Sequence, residues 1–218
     1  MNALITKASI KLKELSEKLK VVLTQVYEKL NIIYIHVFKF SKNLILNPIQ
    51  FWRDHQNTEE DPLELLKNLI FPLLAAVMVA VFLGGYFRGD YFSAGMSLLW
   101  VIREVILLAI LYFGGVYITR ELMHRFGFDV KIEVLQKLVS YSMIPHMVVS
   151  IVTGLLPFFF FLDFFGIYSL YVFWLGAHKL LPFPRETRDK YIIRIMAATW
   201  IIFAVASLLL AKFLISDN

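Results

Sequence analysis

The chain has 218 residues, 59% of them hydrophobic and only 18% charged, with a mean hydropathy of +0.67; a soluble domain carries roughly 25% charge and 45–50% apolar residues, so a water-soluble globule is excluded. The absence of Cys excludes disulfides, thiolate metal sites and a Cys nucleophile. The net charge of +5 is no nucleic-acid signature, because the positive residues gather in two loops and the N-terminal stretch, where the positive-inside rule places them.

Residues 3–40 read as one amphipathic helix. Leu4, Ala8, Leu12, Leu15, Leu19, Val22, Val26, Leu30, Ile33, Val37 and Phe40 recur at steps of three or four, the helical period. Lys7, Lys11, Lys13, Lys18 and Lys20 lie beside that stripe, and Glu14 stands one turn before Lys18 as a supporting pair. Consecutive four-residue steps argue against a long regular coiled coil. A basic helix of this kind either lies in the membrane interface, against anionic lipid, or packs on the bundle or a second copy. The stretch lacks an apolar core ending in a small-residue cleavage site, so the first span is expected to act as its own uncleaved insertion signal.

In LILNPIQFWRDH, Asn47 before Pro48 predicts a helix start, with a side-chain cap and a ring locked at helical φ. Phe51 and Trp52 stand where aromatic belts form, so Asn47, Pro48 and Trp52 are expected to be interfacial. An acidic linker, Asn57 to Asp61, follows. Five apolar stretches come next, at about 66–87, 95–118, 138–159, 167–181 and 195–215; a spanning helix needs roughly 20 such residues. The fold class expected is an all-α integral membrane protein, a five-transmembrane-helix bundle with an N-terminal amphipathic helix. Its divisions are 1–43 (basic helix), 44–64 (interfacial helix and linker) and 65–218 (spans). A tight turn is expected around Asp163–Gly166. The loops carry one, four, no and five Lys or Arg in chain order, which places the N-terminus in the cytoplasm and the C-terminus outside.

Within the second span, Arg103 and Glu104 are costly in hydrocarbon and require other helices, water or headgroups. Adjacent on a helix, they point about 100° apart and do not face each other. Glu104 meets His146 if the second and third spans pack together, giving either a polar clasp that orders the bundle or a proton-responsive contact. Pro145 and Pro157 are expected to kink the third span. No spacing of His124, His178, His36 and His55 suggests a metal, and no cofactor is implied. A Ser–His–Asp set, a P-loop, a Gly-rich dinucleotide turn, paired intramembrane Asp and HExxH are all missing, so an enzyme is not expected.

From about Leu44 to Ile215 the layout resembles the Yip-domain family of Ypt/Rab-interacting membrane proteins. The residues that carry the resemblance are NPIQFW, with Asn47, Pro48 and Trp52, and YSMIPHMVVSIVTGLLP, with Tyr141, Pro145 and Pro157. It implies a cytoplasmic N-terminus and five clustered spans. Trafficking members bind prenylated small GTPases in transport between the endoplasmic reticulum and Golgi. Their acidic-Leu-x-Gly-Pro stretch is absent here and a basic helix replaces their longer tail, which is more similar to a prokaryotic branch, placed in the plasma membrane. The function expected is a non-enzymatic scaffold organising lipid or protein partners, a homo-oligomer among them; the alternative is a small transporter or channel around Arg103, Glu104 and His146.

Overall fold

The computed structural model describes residues 17, 20, 24, 28, 31, 33–88 and 92–215, which divide between two units, Met1–Lys39 and Phe40–Asn218. In the first, Glu17, Lys20, Thr24, Glu28 and Asn31 are helical and exposed. Lys20 pairs with Glu17 at 3.4 Å, and Tyr34 stacks on Phe38. The expected stripe from Leu4 to Leu30 and the Glu14–Lys18 pair lie outside the described residues.

In the second unit, residues 40–46 are helical and precede α1 (Pro48–His55). Five long helices follow: α2 (Pro62–Phe87), α3 (Ala94–Arg125), α4 (Ile132–Leu155), α5 (Pro157–Leu180) and α6 (Arg188–Ile215). All five are long and apolar enough to cross a membrane, and no strand occurs among the described residues. The chain is an all-α, five-helix integral membrane protein.

Local sequence explains most of the boundaries. Asp61 caps α2, its carboxylate accepting from the Leu63 amide at 2.9 Å, with Pro62 as the first helical residue. A π-helical turn, Leu66–Ile70, immediately precedes the segment that contains Pro72; the ring can neither donate to nor pass the carbonyl four residues back, and a wider turn relieves that clash. Ser93 caps α3. At its far end, Gly127 takes φ +82 while its amide and that of Phe128 return to His124 and Met123, a left-handed cap open to glycine.

Three expectations are corrected here. Asn47 makes no side-chain cap bond, so the start of α1 rests on Pro48 alone, and Pro48 is itself buried. Trp52 and Phe51 are fully buried within the protein. Burial of an indole is tolerated when its single N–H finds an acceptor, and Trp52 Nε1 donates to the Val172 carbonyl at 3.0 Å. Pro157 does not kink the third span. Helix α4 ends at Leu155, Leu156 adopts φ −121, ψ 80, and Pro157 begins the next helix. A residue before proline is driven out of the helical region, so the turn falls at Leu156 and not at Asp163–Gly166. Residues Pro157–Ile167 instead form a 3-10 helix, interrupted only at Phe159, that runs on into α5. Pro145, by contrast, sits inside α4 without ending it.

Helix α4 is the hub, packed against α2, α3 and α5. Its approach to α2 is set by glycines: a Cβ on Gly84 would fall on the Gly154 carbonyl, and one on Gly154 would meet Val81 Cγ2 at 2.7 Å. Helix α6 is peripheral, running along α3 and the Tyr168–Leu180 half of α5. It exposes Ile201, Val205, Leu208 and Phe213, an apolar face that meets lipid acyl chains in a bilayer.

Candidate functional site

Two polar clusters lie inside this apolar bundle. The first gathers where α2 ends, α3 begins and α4 turns into α5. Arg103 and Glu104 both turn inward and are largely buried, with side-chain exposures of 19% and 17%, and they pair at 3.7 Å. The expectation that neighbours on a helix cannot meet holds for Cβ directions. It fails for these two because each side chain is long enough to curl over the helix surface towards the same cavity. Arg103 also donates to Ser207 Oγ of α6 at 2.9 Å, while its Nε is buried without a partner. Glu104 accepts from Ser150 Oγ of α4 at 2.9 Å.

These side chains line a cavity of about 480 Å³, together with Arg88, Trp100, His146 and Asp163. Arg88 donates to the carbonyls of Val81 at 3.1 Å and Gly154 at 3.4 Å. Its guanidinium lies 4.8 Å from the Trp100 ring centroid, and that of Arg103 lies 5.8 Å from the same ring. Both distances are within cation–π range. Burial holds Arg88 below its ordinary pKa; Glu104 opposes that effect and Arg103 adds to it. Arginine nevertheless stays a cation in proteins.

His146 lines the same cavity as Glu104, but the bond Glu104 accepts from α4 comes from Ser150, one turn further along. The His146 ring meets Phe203 edge-on at 5.4 Å, and its backbone amide, next to Pro145, donates to Ser169 Oγ of α5 at 2.9 Å. A proline weakens the surrounding turn's hydrogen bonding, and the α5 hydroxyl satisfies one of the groups affected.

The second cluster joins the linker before α2 to α4. The Lys137 ammonium donates to the carbonyls of His55 and Thr58 and to Thr58 Oγ1, and stands 3.7 Å from Glu60. Tyr141 donates to the other Glu60 oxygen. Phe40, Phe51, His55 and Tyr141 pack edge and face around it.

Sequence reasoning missed Arg88, Trp100 and Asp163 in the first cluster and all of the second. Arg88, Glu60 and Lys137 read as loop charges. Trp100 was open to inference, since it stands one turn before Arg103 on the same face. No group of three or more His, Asp or Glu is placed to hold a metal among the described residues.

A buried α1, a hub helix with an internal proline and five clustered spans form the frame in which both quoted motifs sit. A family model described as the Yip1 domain matches residues 42–210. The chain belongs to the Yip1-domain family. No curated protein and no solved structure matches it. Within the Yip1 domain, NPIQFW supplies the buried anchor Trp52, and the stretch from Tyr141 to Pro157 supplies one wall of the cavity and the partner of Glu60.

Proposed function

We propose that this Yip1-domain protein is a non-enzymatic membrane scaffold that organises lipid or protein partners, with its N-terminus in the cytoplasm and its C-terminus outside. The observation that carries this reading is the one-sidedness of the polar cavity. Its lining ends at Leu107, His146 and Trp200; beyond lie the buried Leu108, Tyr112 and Ile144 and a small, mainly apolar cavity of about 50 Å³ beside Met143 and Phe173. A conduit needs polar lining through the whole bundle; a vestibule closed by packed side chains suits binding. The orientation rests on the asymmetry of loop charge. In that orientation the cavity is on the outer side and the Lys137 cluster on the cytoplasmic side.

Transport is the second reading, favoured by a cavity that reaches Glu104. Reconstitution of the full chain into liposomes separates the two. The scaffold reading expects proton and small-anion flux equal to that of protein-free vesicles. Flux abolished by Glu104→Gln would replace scaffold with transporter. The positive arm is crosslinking in native membranes, where removal of residues 1–43 is expected to abolish the adducts to partner proteins or to a second copy.

A further inference from the structure

The cavity has chemistry that a purely structural clasp does not need. Arg88 has no carboxylate within ion-pair distance among the described residues, and Arg103 is paired only with Glu104. Two guanidiniums therefore crowd one indole, with Glu104 beside them and the exposed Asp163 on the wall of the same cavity. Arginine forks match phosphate geometry, and the buried Arg103 Nε is a donor still to be used.

The walls indicate where an anion comes from. The Pro157–Ile167 half of α5 packs on α4, whereas α6 runs along α3 and the later half of α5. The cavity is lined on one side by Phe160 and Asp163 of α5, both exposed, and on the other by Phe203 and Ser207 of α6. That slot is flanked by side chains that face lipid: Phe160 is 71% exposed, Phe164 74% and Leu208 72%. An amphiphile fits both parts, its charged head among the arginines and its chains on the exposed phenylalanines and leucines. The volume of about 480 Å³ lies within the range of small-molecule sites, roughly 300–1,000 Å³.

We infer that the cavity is a phospholipid site, entered sideways between α5 and α6, in which Arg88 and Arg103 hold the phosphate of the headgroup. The inference goes beyond the scaffold reading and does not require the cytoplasmic surface. Loss of partner crosslinks and loss of lipid binding are separate results.

The test uses the full chain in liposomes containing a phosphatidylglycerol with a diazirine high on one acyl chain. Adducts are mapped after irradiation. An excess is expected at residues 157–165 and 201–209 over the rest of the apolar belt. Unmodified dioleoylphosphatidylglycerol should compete that excess away, and dioleoylglycerol, which lacks phosphate, should not. Inorganic phosphate competing as well as the lipid would overturn the lipid assignment in favour of the free ion. Arg88→Gln should cut the slot adducts severalfold while adducts elsewhere on the belt stay constant. Asp163→Asn, an exposed change that leaves packing intact, should raise them, because it removes a negative charge from the mouth. Uniform labelling, unaffected by competitor and by both substitutions, would overturn the site.

Discussion

Trp52 donates its indole N–H to the carbonyl of Val172 across 3.0 Å. This single bond, spanning 120 residues of sequence, locks the helix before the first span onto the fourth span. The ring fits because Gly176 has no side chain: a Cβ there would collide with the Trp52 ring and with Leu138. Trp52→Phe should lower the melting temperature in detergent by removing one buried hydrogen bond, about 1–3 kcal/mol. Trp52→Ala should cost more, about 3–5 kcal/mol, and Gly176→Ala should destabilise by overpacking. Wild-type melting of both Trp52 variants would show that α1 is not anchored there.

Lys137, which is buried, and Glu60, which is half-buried, form a pair whose partners come from the linker and from α4. Removing one member of such a pair leaves the other uncompensated, typically at a cost of about 3–5 kcal/mol. Lys137→Ala should therefore be among the most destabilising single changes, since the Thr58 carbonyl loses the ammonium, and Glu60 and the His55 carbonyl keep donors only from Tyr141 and Thr58. Glu60→Gln should cost less, because the ammonium keeps its other acceptors. A thermal-stability cycle should give a positive coupling between the two.

The Arg103–Glu104 pair is partly open to the cavity, so its energetics lie between those of surface and buried pairs, about 1–3 kcal/mol for each single change. Arg103→Gln and Glu104→Gln should each lower stability, and the double variant should lose less than the sum. Additivity would mean that the 3.7 Å contact contributes nothing and that each side chain is held only by Ser207 or Ser150.

Orientation is read by cysteine labelling, for which the Cys-free chain needs no background removal. Asp90→Cys should react with a membrane-impermeant maleimide added from outside. Lys190→Cys, an exposed position in the first turn of α6, should react only after permeabilisation. The reverse pattern would invert the orientation proposed here and place the cavity on the cytoplasmic side.

If the N-terminal stretch rests on lipid, a peptide of residues 1–42 should bind vesicles containing anionic lipid more tightly than neutral ones. Its binding should weaken as salt rises, since screening shortens the reach of surface charge to about 8 Å at physiological ionic strength. Equal binding to both vesicles would leave the apolar stripe as the only contributor.

Fold class was legible in the sequence because hydrophobicity and helix punctuation act locally. A run of about 20 apolar residues spans hydrocarbon whatever surrounds it, and Asp61–Pro62 starts a helix by bonds within its own first turn. The break at Leu156–Pro157 also belonged to this class, as a proline restricts its immediate neighbour, although the surrounding phenylalanines suggested a turn further on. What the tertiary structure decided was the company each polar side chain keeps. Arg88, Glu60 and Lys137 carry the same charge whether solvated in a loop or buried against carbonyls. Trp52 is equally amphipathic at a membrane interface and in a core. Glu104 takes a bond from Ser150, one turn from His146 on α4, and the packing of α3 on α4 brings all three into one cavity. These outcomes depend on contacts between residues tens of positions apart, fixed by the close approach of α2 and α4 at Gly84 and Gly154 and by the seat of Trp52 on Gly176, and no local pattern encodes such distances.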